Sequence, residues 1–239
     1  MSRFGIDRTL LPAVVALVLT LVLFESTGLD LAIQDRLYDF SAHRWLIDAH
    51  AVVPRAVFYT GPKALLIVLG MTLLLLILGP QSWRIRLRIP DPARKNLLVA
   101  FLTLGTVPAF VGGLKAVTNV FCPSEIRAYG GDEPYVRVLE RYPANNRPAQ
   151  RGRCFPAGHA SGGFALLGLV GLSRTRRSRA LLTLLGLGSG TFMGAYQMAK
   201  GAHFLSHTVV TALIAWIFFL LWRRILSVSP PTAIAQKQP

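Results

Sequence analysis

Uncharged, mostly apolar stretches recur along the chain at residues 9–24, 64–83, 97–114, 155–173, 180–199 and 204–222. Most approach or reach the roughly 20 residues that a helix needs to cross about 30 Å of hydrocarbon. The pattern predicts an all-α, polytopic membrane protein with six transmembrane helices. The stretch at 9–24 is the shortest of them, and Arg3 and Arg8 precede it as they would in a signal peptide. No small-x-small cleavage pattern follows Phe24, where Glu25, Ser26, Thr27 and Gly28 come next, so the stretch reads as a retained first helix.

The polar segments between these stretches differ in kind. Residues 25–63 mix Asp30, Asp35, Arg36, Asp39, Arg44, Asp48 and Arg55 with Leu31, Ile33, Leu37, Tyr38, Phe40 and Trp45. That is too charged to span, and it suits an amphipathic helix lying at the interface as a lid or collar. Residues 115–154 are broken by Pro123, Gly130, Gly131, Pro134, Pro143, Asn145, Asn146 and Pro148. They predict a long irregular loop, of a length that is usually functional or disordered. Residues 1–226 form a single membrane domain, and residues 227–239, with Pro230, Pro231 and Gln238, read as a disordered tail. No internal repeat is visible.

Composition sharpens this picture. The chain is 52% hydrophobic and only 15% charged, where a soluble domain carries about 25% charged residues. A net charge of +15 would suggest nucleic acid in a soluble chain, but no array of aromatic and basic residues of that kind is present. The basic residues instead crowd into short connections: Arg84, Arg86, Arg88, Arg94 and Lys95 after the second stretch, and Arg174, Arg176, Arg177 and Arg179 after the fourth. Arg3 and Arg8 precede the first stretch, and Arg223 and Arg224 close the sixth.

By the positive-inside rule these segments and both termini are cytoplasmic, and residues 25–63, 115–154 and the turn at 200–202 face outward. Trp83 and Trp222 then lie at cytoplasmic helix ends. The arrangement suits a bacterial inner membrane with the outward face in the periplasm. Cys122 and Cys154, the two cysteines of the chain, both fall on that side. They are either a disulfide that fastens the two ends of the long loop or two small buried thiols.

Three of the five histidines sit at helix ends on the outward face: His159, His203 and His207. The 44 residues from His159 to His203 allow one helix down, the basic turn at 174–179, and one helix back. Both histidines therefore return to the same face, where Lys115 ends the third stretch. His203 and His207 are four residues apart and share one face of a helix. Gly158 and Gly201 permit close backbone approach, and a helix starting after Pro156 offers unpaired N–H groups to an anion. Ionisable groups gathered at a bilayer mark a functional site, and with Lys115 the natural guest is a phosphate.

These residues resemble known motifs. Lys115 followed after six residues by Cys122-Pro123, then Pro156-Ala157-Gly158-His159, then Tyr196-Gln197 with His203 and His207, are similar to the three motifs of the type 2 phosphatidic acid phosphatase superfamily. That pattern is Lys-x6-Arg-Pro, Pro-Ser-Gly-His and Ser-Arg-x5-His-x3-Asp. The resemblance covers residues 97–222. The segment with Asp30 and Tyr38 also resembles the amino-terminal part of the family's lipid A phosphatases.

The resemblance implies that His203 is a nucleophile forming phosphohistidine, that His159 protonates the leaving oxygen, and that Lys115 and the Gly158 N–H hold the phosphate. It implies no metal and no cofactor. The chain departs from the pattern at four places: Cys122 and Gln197 stand for arginines, Ala157 for a serine and His207 for the closing aspartate. Lys200, Arg127 and Arg153 are candidates to supply the lost positive charge. Neutral His207 can still accept a hydrogen bond from His203.

The expected partner is a phosphorylated lipid in the bilayer, such as lipid A, undecaprenyl pyrophosphate, phosphatidylglycerol phosphate or phosphatidic acid. The residues leave three alternatives: a lipid-binding or transport relative that has lost catalysis, a lipid phosphotransferase, and a zinc site of His159, His203 and His207. Nothing in the sequence sets an oligomeric state. The topology is checked by a reporter inserted within residues 144–149. An alkaline phosphatase fusion there is expected to be active, and activity only of a cytoplasm-dependent reporter would reverse the orientation.

Overall fold

The computed structural model describes residues 9–49, 51–87 and 93–226. The expected tail at 227–239, as well as Arg3, Arg8 and Arg88, lies outside the described residues. Helices stand at all six apolar stretches. The first, α1 (Leu10–Ser26), ends where the Ser26 hydroxyl donates to the Val22 carbonyl at 2.7 Å and that of Thr27 to Leu23 at 2.7 Å. Gly28 then turns the chain by 80° into α2 (Leu29–Gln34).

After α2 comes a two-residue hairpin, β1 (Tyr38–Asp39) against β2 (Arg44–Trp45), with Tyr38 opposite Trp45. The expected single interfacial helix is thus replaced by a short helix and a hairpin. The Asp39 carboxylate is the reason, because it accepts from the N–H groups of Ser41 and Ala42 at 3.0 Å and closes the turn. Tyr38 and Trp45 then stack with Tyr129 of the long loop, ring centroids 5.3 and 5.1 Å away.

The second span starts earlier than its hydropathy block suggests. α3 (Val52–Arg55) runs through a π-helical turn (Ala56–Thr60) into α4 (Gly61–Leu78) as one 27-residue helix. Lys63 is therefore a helical residue rather than the end of a loop. Arg84, in α5 (Gln81–Arg86), turns back to donate to the carbonyls of Leu76 and Gly79 at 3.1 and 3.0 Å, which caps the end of α4. The third span, α6 (Ala93–Val117), contains Pro108.

The last three helices form the core. α7 (Gly158–Ala165) continues as a 3₁₀ segment (Leu166–Leu172), α8 (Arg176–Ala199) opens with the Ser178 N–H donating to the Thr175 hydroxyl at 3.0 Å, and α9 (Leu205–Ile225) completes the set. A 3₁₀ residue rises about 2.0 Å against about 1.5 Å for an α residue, so the short α7 segment with its extension covers about 26 Å. Trp222 does not point outward to the interface alone, since its indole N–H donates to Thr106 on α6 at 3.0 Å.

Among the described residues three helices are long and apolar enough to cross a membrane: Val52–Leu78, Arg94–Val117 and Leu205–Ile225. A fourth is added if α1 and Leu29–Leu37 are one bent span. The expected count of six is not reached on length and apolarity, because α1 alone and the helix from Gly158 are short and the apolarity of α8 is diluted by its glycines and by Thr183, Ser189, Thr191, Tyr196 and Gln197. Large apolar side chains on α1, α4 and α8 nevertheless face outward, among them Leu19, Leu65, Val68 and Leu184 at 63, 71, 63 and 65% exposure. Such faces need lipid rather than water against them.

The long loop is folded rather than structureless. Tyr38, Phe121, Ile126, Tyr129 and Phe204 bury one another beneath Trp45, Tyr135 and Tyr142. The Tyr129 hydroxyl donates to Asp35 at 2.8 Å, and the Arg127 guanidinium to Asn146 at 2.9 Å. Cys122 and Cys154 are joined by a disulfide at a sequence separation of 32.

Glycines spaced by four on α8, Gly186, Gly190 and Gly194, form a small-residue seam suited to helix contact in lipid, the first two against α7 and its 3₁₀ extension and Gly194 against Thr208 of α9. A Cβ at Gly186 would come within 2.8 Å of the Leu167 backbone nitrogen, one at Gly190 would strike the Phe164 ring, and one at Gly163 would lie 2.7 Å from the Gly190 nitrogen. Gly188, between them, would meet nothing within 4 Å. Gly190→Leu is therefore expected to cost about 1–3 kcal/mol by overpacking, read as a lowered unfolding temperature in detergent. Gly188→Leu is expected to leave that temperature unchanged or raise it.

Candidate active site

α9 carries the centre of the site, and its first turn is held from two directions. The Ser206 N–H, in the exposed-donor first turn of the helix, donates to the buried Asp30 carboxylate of α2 at 2.9 Å. One turn further on, the Thr211 hydroxyl donates to the His207 carbonyl at 2.7 Å and accepts from the Ala157 N–H at 3.0 Å. The stretch Phe155-Pro156-Ala157 is thereby pinned to α9, and the Thr118 hydroxyl adds a bond to the Phe155 carbonyl at 2.6 Å.

The turn between α8 and α9 brings His203 in. Gly201 adopts a φ of +74°, and a Cβ there would strike the Trp45 indole, so a side chain is excluded on both grounds. α2 and the hairpin grip this turn: Gln34 donates to the Met198 carbonyl at 2.9 Å, and the Ile47 N–H to the Ala199 carbonyl at 3.1 Å. Asp30 and Gln34 are four residues apart, on one face of α2, and both are buried.

His203 and His207 are fully buried, with their Nδ1 atoms 3.4 Å apart. The ring of His159 lies 6.2 Å from that of His203, centroid to centroid. Burial first, then neighbouring His207 and Lys115, hold the His203 imidazole well below its usual range. It is therefore neutral at pH 7, with a lone pair available.

His159 begins α7, whose N-cap residue Ala157 supplies no side-chain cap, so its first N–H groups remain open to an anion. The three lysines Lys115, Lys200 and Lys63 all lie within electrostatic reach of His159. Lys115 runs beside Gly158, where a Cβ would sit 3.4 Å from its Nζ. Tyr59, from the π-helical turn, stacks at 4.6 Å on His159.

A cavity of about 480 Å³ opens beside these groups. Lys63, Tyr59, Lys115, Gly158 and His159 line one end, and Phe101, Leu104, Gly105 and Pro108 of α6 and Leu66, Ile67 and Gly70 of α4 line the rest. From Lys115 back to Phe101 the wall follows α6 for about 21 Å at 1.5 Å per residue. A polar, cationic end thus leads into a long apolar one.

Residues 96–229 match the PAP2 superfamily, more than half of the chain. The chain belongs to that superfamily. No curated protein and no solved structure matches it significantly. Membership of the PAP2 superfamily supports phosphatase action on phosphate esters, so the chain is placed among phosphoric ester hydrolases in general.

Of the residues that the PAP2 motifs bring to notice, His159, His203, His207, Lys115 and Gly158 come together. Gln197 is buried on α8, and neither of its amide atoms has a hydrogen-bond partner among the described residues. Lys200 sits at the end of α8 with its Nζ 5.2 Å from the Tyr196 ring. Arg153 is exposed and lines a separate cleft with Cys122 and Glu125, while Arg127 is spent on Asp132 and Asn146 within the loop.

Lys63 and Tyr59 were missed in the sequence, because a helix start was drawn at residue 64 and nothing marked the helix as longer. Pro54, in the first turn of the helix that begins at Val52, was the available signal. The alternative zinc site of His159, His203 and His207 is not the grouping found among the described residues: Cys154, His203 and His207 have ligand atoms within 4.8 Å of one another, and His159 is not among them.

The clamp on α9 generates a test. Asp30→Ala leaves the Ser206 N–H unpaired and lets the His203 turn shift, and displacements near 1 Å cost about a hundredfold in rate. The expected outcome is a fall in kcat of about ten- to a hundredfold with KM little changed, and partial recovery in Asp30→Asn, which keeps an acceptor. Equal loss in both variants would show that the carboxylate acts otherwise than as this acceptor.

Proposed function

We propose that this chain is an integral membrane lipid phosphatase that removes phosphate from a lipid phosphate or pyrophosphate through a phosphohistidine intermediate. The observation that carries the reading is the cavity itself. Its cationic end holds Lys115, Lys63 and His159, and its apolar end runs between α4 and α6. A phosphorylated headgroup with an attached hydrocarbon chain has that same division.

In the proposed reaction Nδ1 of His203 donates its hydrogen to Nδ1 of His207, 3.4 Å away, which leaves Nε2 to attack phosphorus. The bond between phosphorus and the lipid oxygen breaks as that oxygen takes a proton from His159, which enters the reaction as the imidazolium paired with the bound phosphate and leaves this step neutral. Water then attacks the phosphohistidine, His159 takes a proton from it, and inorganic phosphate leaves. Lys115, Lys63, Lys200, the Gly158 N–H and the Gln197 amide hold the phosphate oxygens, electrostatic stabilisation being the largest contribution in such transfers.

His207 in the position of a carboxylate keeps the His203 tautomer but gives a developing imidazolium less stabilisation. In the proposed topology the chain crosses six times, with α7 and its 3₁₀ extension as one crossing and both termini cytoplasmic. The site then faces the outer side of a bacterial inner membrane. The substrate is a lipid of the phosphatidic acid, undecaprenyl pyrophosphate or lipid A type.

Two substitutions test this. His203→Ala is expected to lower turnover of a lipid phosphate by several powers of ten with the fold intact, and retention of more than about a tenth of the rate would exclude this nucleophile. Gly105 lines the apolar end, and a Cβ there would meet nothing within 4 Å. Gly105→Leu should therefore fill the cavity without disturbing α6. A loss of at least tenfold on a long-chain lipid phosphate, with a short water-soluble phosphate ester little affected, is the expected result; equal loss on both would remove the lipid chain from this cavity.

A further inference from the structure

The disulfide and the two buried histidines of the proposed reaction form a constellation whose sulfurs the phosphatase reading does not use. Cys154 Sγ lies 3.5 Å from His203 Nδ1, and His203 Nδ1 lies 3.4 Å from His207 Nδ1. Cys122 Sγ is bonded to Cys154 Sγ. Cys154, His203 and His207 are all buried.

Tetrahedral zinc has Zn–N bonds of about 2.05 Å and Zn–S bonds of about 2.3 Å, which set ligand edges of about 3.3 Å between nitrogens and about 3.6 Å between nitrogen and sulfur. Two edges of such a tetrahedron are therefore already present. An edge between two thiolates is about 3.8 Å on the same geometry, so once their bond is broken the sulfurs must part and Cys122, which lies outside the close grouping of Cys154, His203 and His207, must swing toward the histidine nitrogens. Cys122 and His207 are also two of the four positions where the chain departs from its family's motifs, and both departures bring in zinc ligands.

We propose that the reduced chain binds one zinc ion through Cys122, Cys154, His203 and His207, and that formation of the Cys122–Cys154 disulfide abolishes this site. Reduction by a phosphine and water supplies two electrons and two protons: the S–S bond breaks, two thiols form and the phosphine becomes its oxide. Zinc binding then displaces the thiol protons, leaving two thiolates and two neutral imidazoles around the metal. A disulfide oxidant undoes the site: it takes two electrons from the thiolates and becomes two thiols, the S–S bond re-forms and zinc is released, since a disulfide sulfur carries no thiolate charge and the metal loses two ligands.

The metal and the phosphate compete for one imidazole. With zinc on Nδ1, the neutral ring keeps its hydrogen on Nε2 and has no lone pair there to attack phosphorus. The reduced, metal-bound chain is a silent state and the oxidised chain an active one. The metal site stands without the phosphatase reading; the silencing rests on it.

Cobalt(II) is the probe, because it takes zinc's place and reports its ligands by colour. The full chain in detergent is reduced with a phosphine, freed of it under anaerobic conditions and titrated with cobalt(II), with the oxidised chain in parallel. One equivalent should bind to the reduced chain with a thiolate-to-cobalt charge-transfer band in the near ultraviolet and tetrahedral bands in the visible, both removed by one equivalent of zinc. The oxidised chain should show neither. Cys122→Ser and His207→Ala, reduced, should each lower cobalt affinity more than about a hundredfold, beyond the 10- to 100-fold that outer partners contribute.

Absence of the charge-transfer band in the reduced wild-type chain would overturn the proposal, as would the same band in the oxidised chain or an undiminished affinity in either variant. Activity is read separately. If cobalt binds as expected and zinc leaves turnover of the reduced chain unchanged, the site stands and the assignment of His203 as nucleophile falls.

Discussion

The hydrogen bond from the Ser206 N–H to the Asp30 carboxylate joins parts of the chain 176 residues apart, and the geometry of the site depends on it. α9 presents His207, and the turn just before it presents His203, so the position of that helix end sets both rings. Three unpaired N–H groups at a helix start attract an anion wherever one is available. Here a fixed protein carboxylate occupies the start of α9, whereas the start of α7 at Gly158 stays uncapped by any side chain. The two adjacent helix ends are thereby given different tasks, one structural and one open to a guest.

Charge around the open end is unusually one-sided. Lys115, Lys63 and Lys200 gather about His159, and the position where the family has a carboxylate holds His207. Lysines are point charges on flexible stems, while an arginine fork fixes a phosphate at two points. On the proposed phosphatase reading, the site exchanges bidentate geometry for charge supplied from three different helices. Positional control must then come from elsewhere, and the clamped turn at 200–204, the disulfide and the pinned Ala157 stretch are the elements that provide it.

Much of this was legible in the chain. Helices stand at the six blocks of uncharged residues, though three of them, or four with the bent pair, are long and apolar enough to cross, and Lys115, His159 and His203 meet as the 44-residue return from His159 to His203 allows. What escaped was local. The Asp39 turn outweighed the amphipathic pattern and made a hairpin of a predicted helix. The π-helical turn carried Tyr59 and Lys63 into the site, because hydropathy blocks mark where charge begins and not where a helix does. The spacing of Gly186, Gly190 and Gly194 was visible in the sequence, but only the fold shows which ring and which backbone each must admit. The positions of Arg127 and Arg153 depend on loop contacts that no periodicity encodes.

The cavity has one wall that is not fully enclosed. Ile67 lines it and is itself 58% exposed, on a helix whose outer side needs lipid against it. A lipid guest of the kind proposed above would reach the site sideways from the leaflet, by lateral diffusion in two dimensions, without leaving the hydrocarbon. The concentration that governs its encounter is a surface density. On that reading, diluting the substrate with inert amphiphile at constant bulk concentration should slow the reaction, and the supply rate should follow the fluidity of the surrounding membrane more than the viscosity of the water above it.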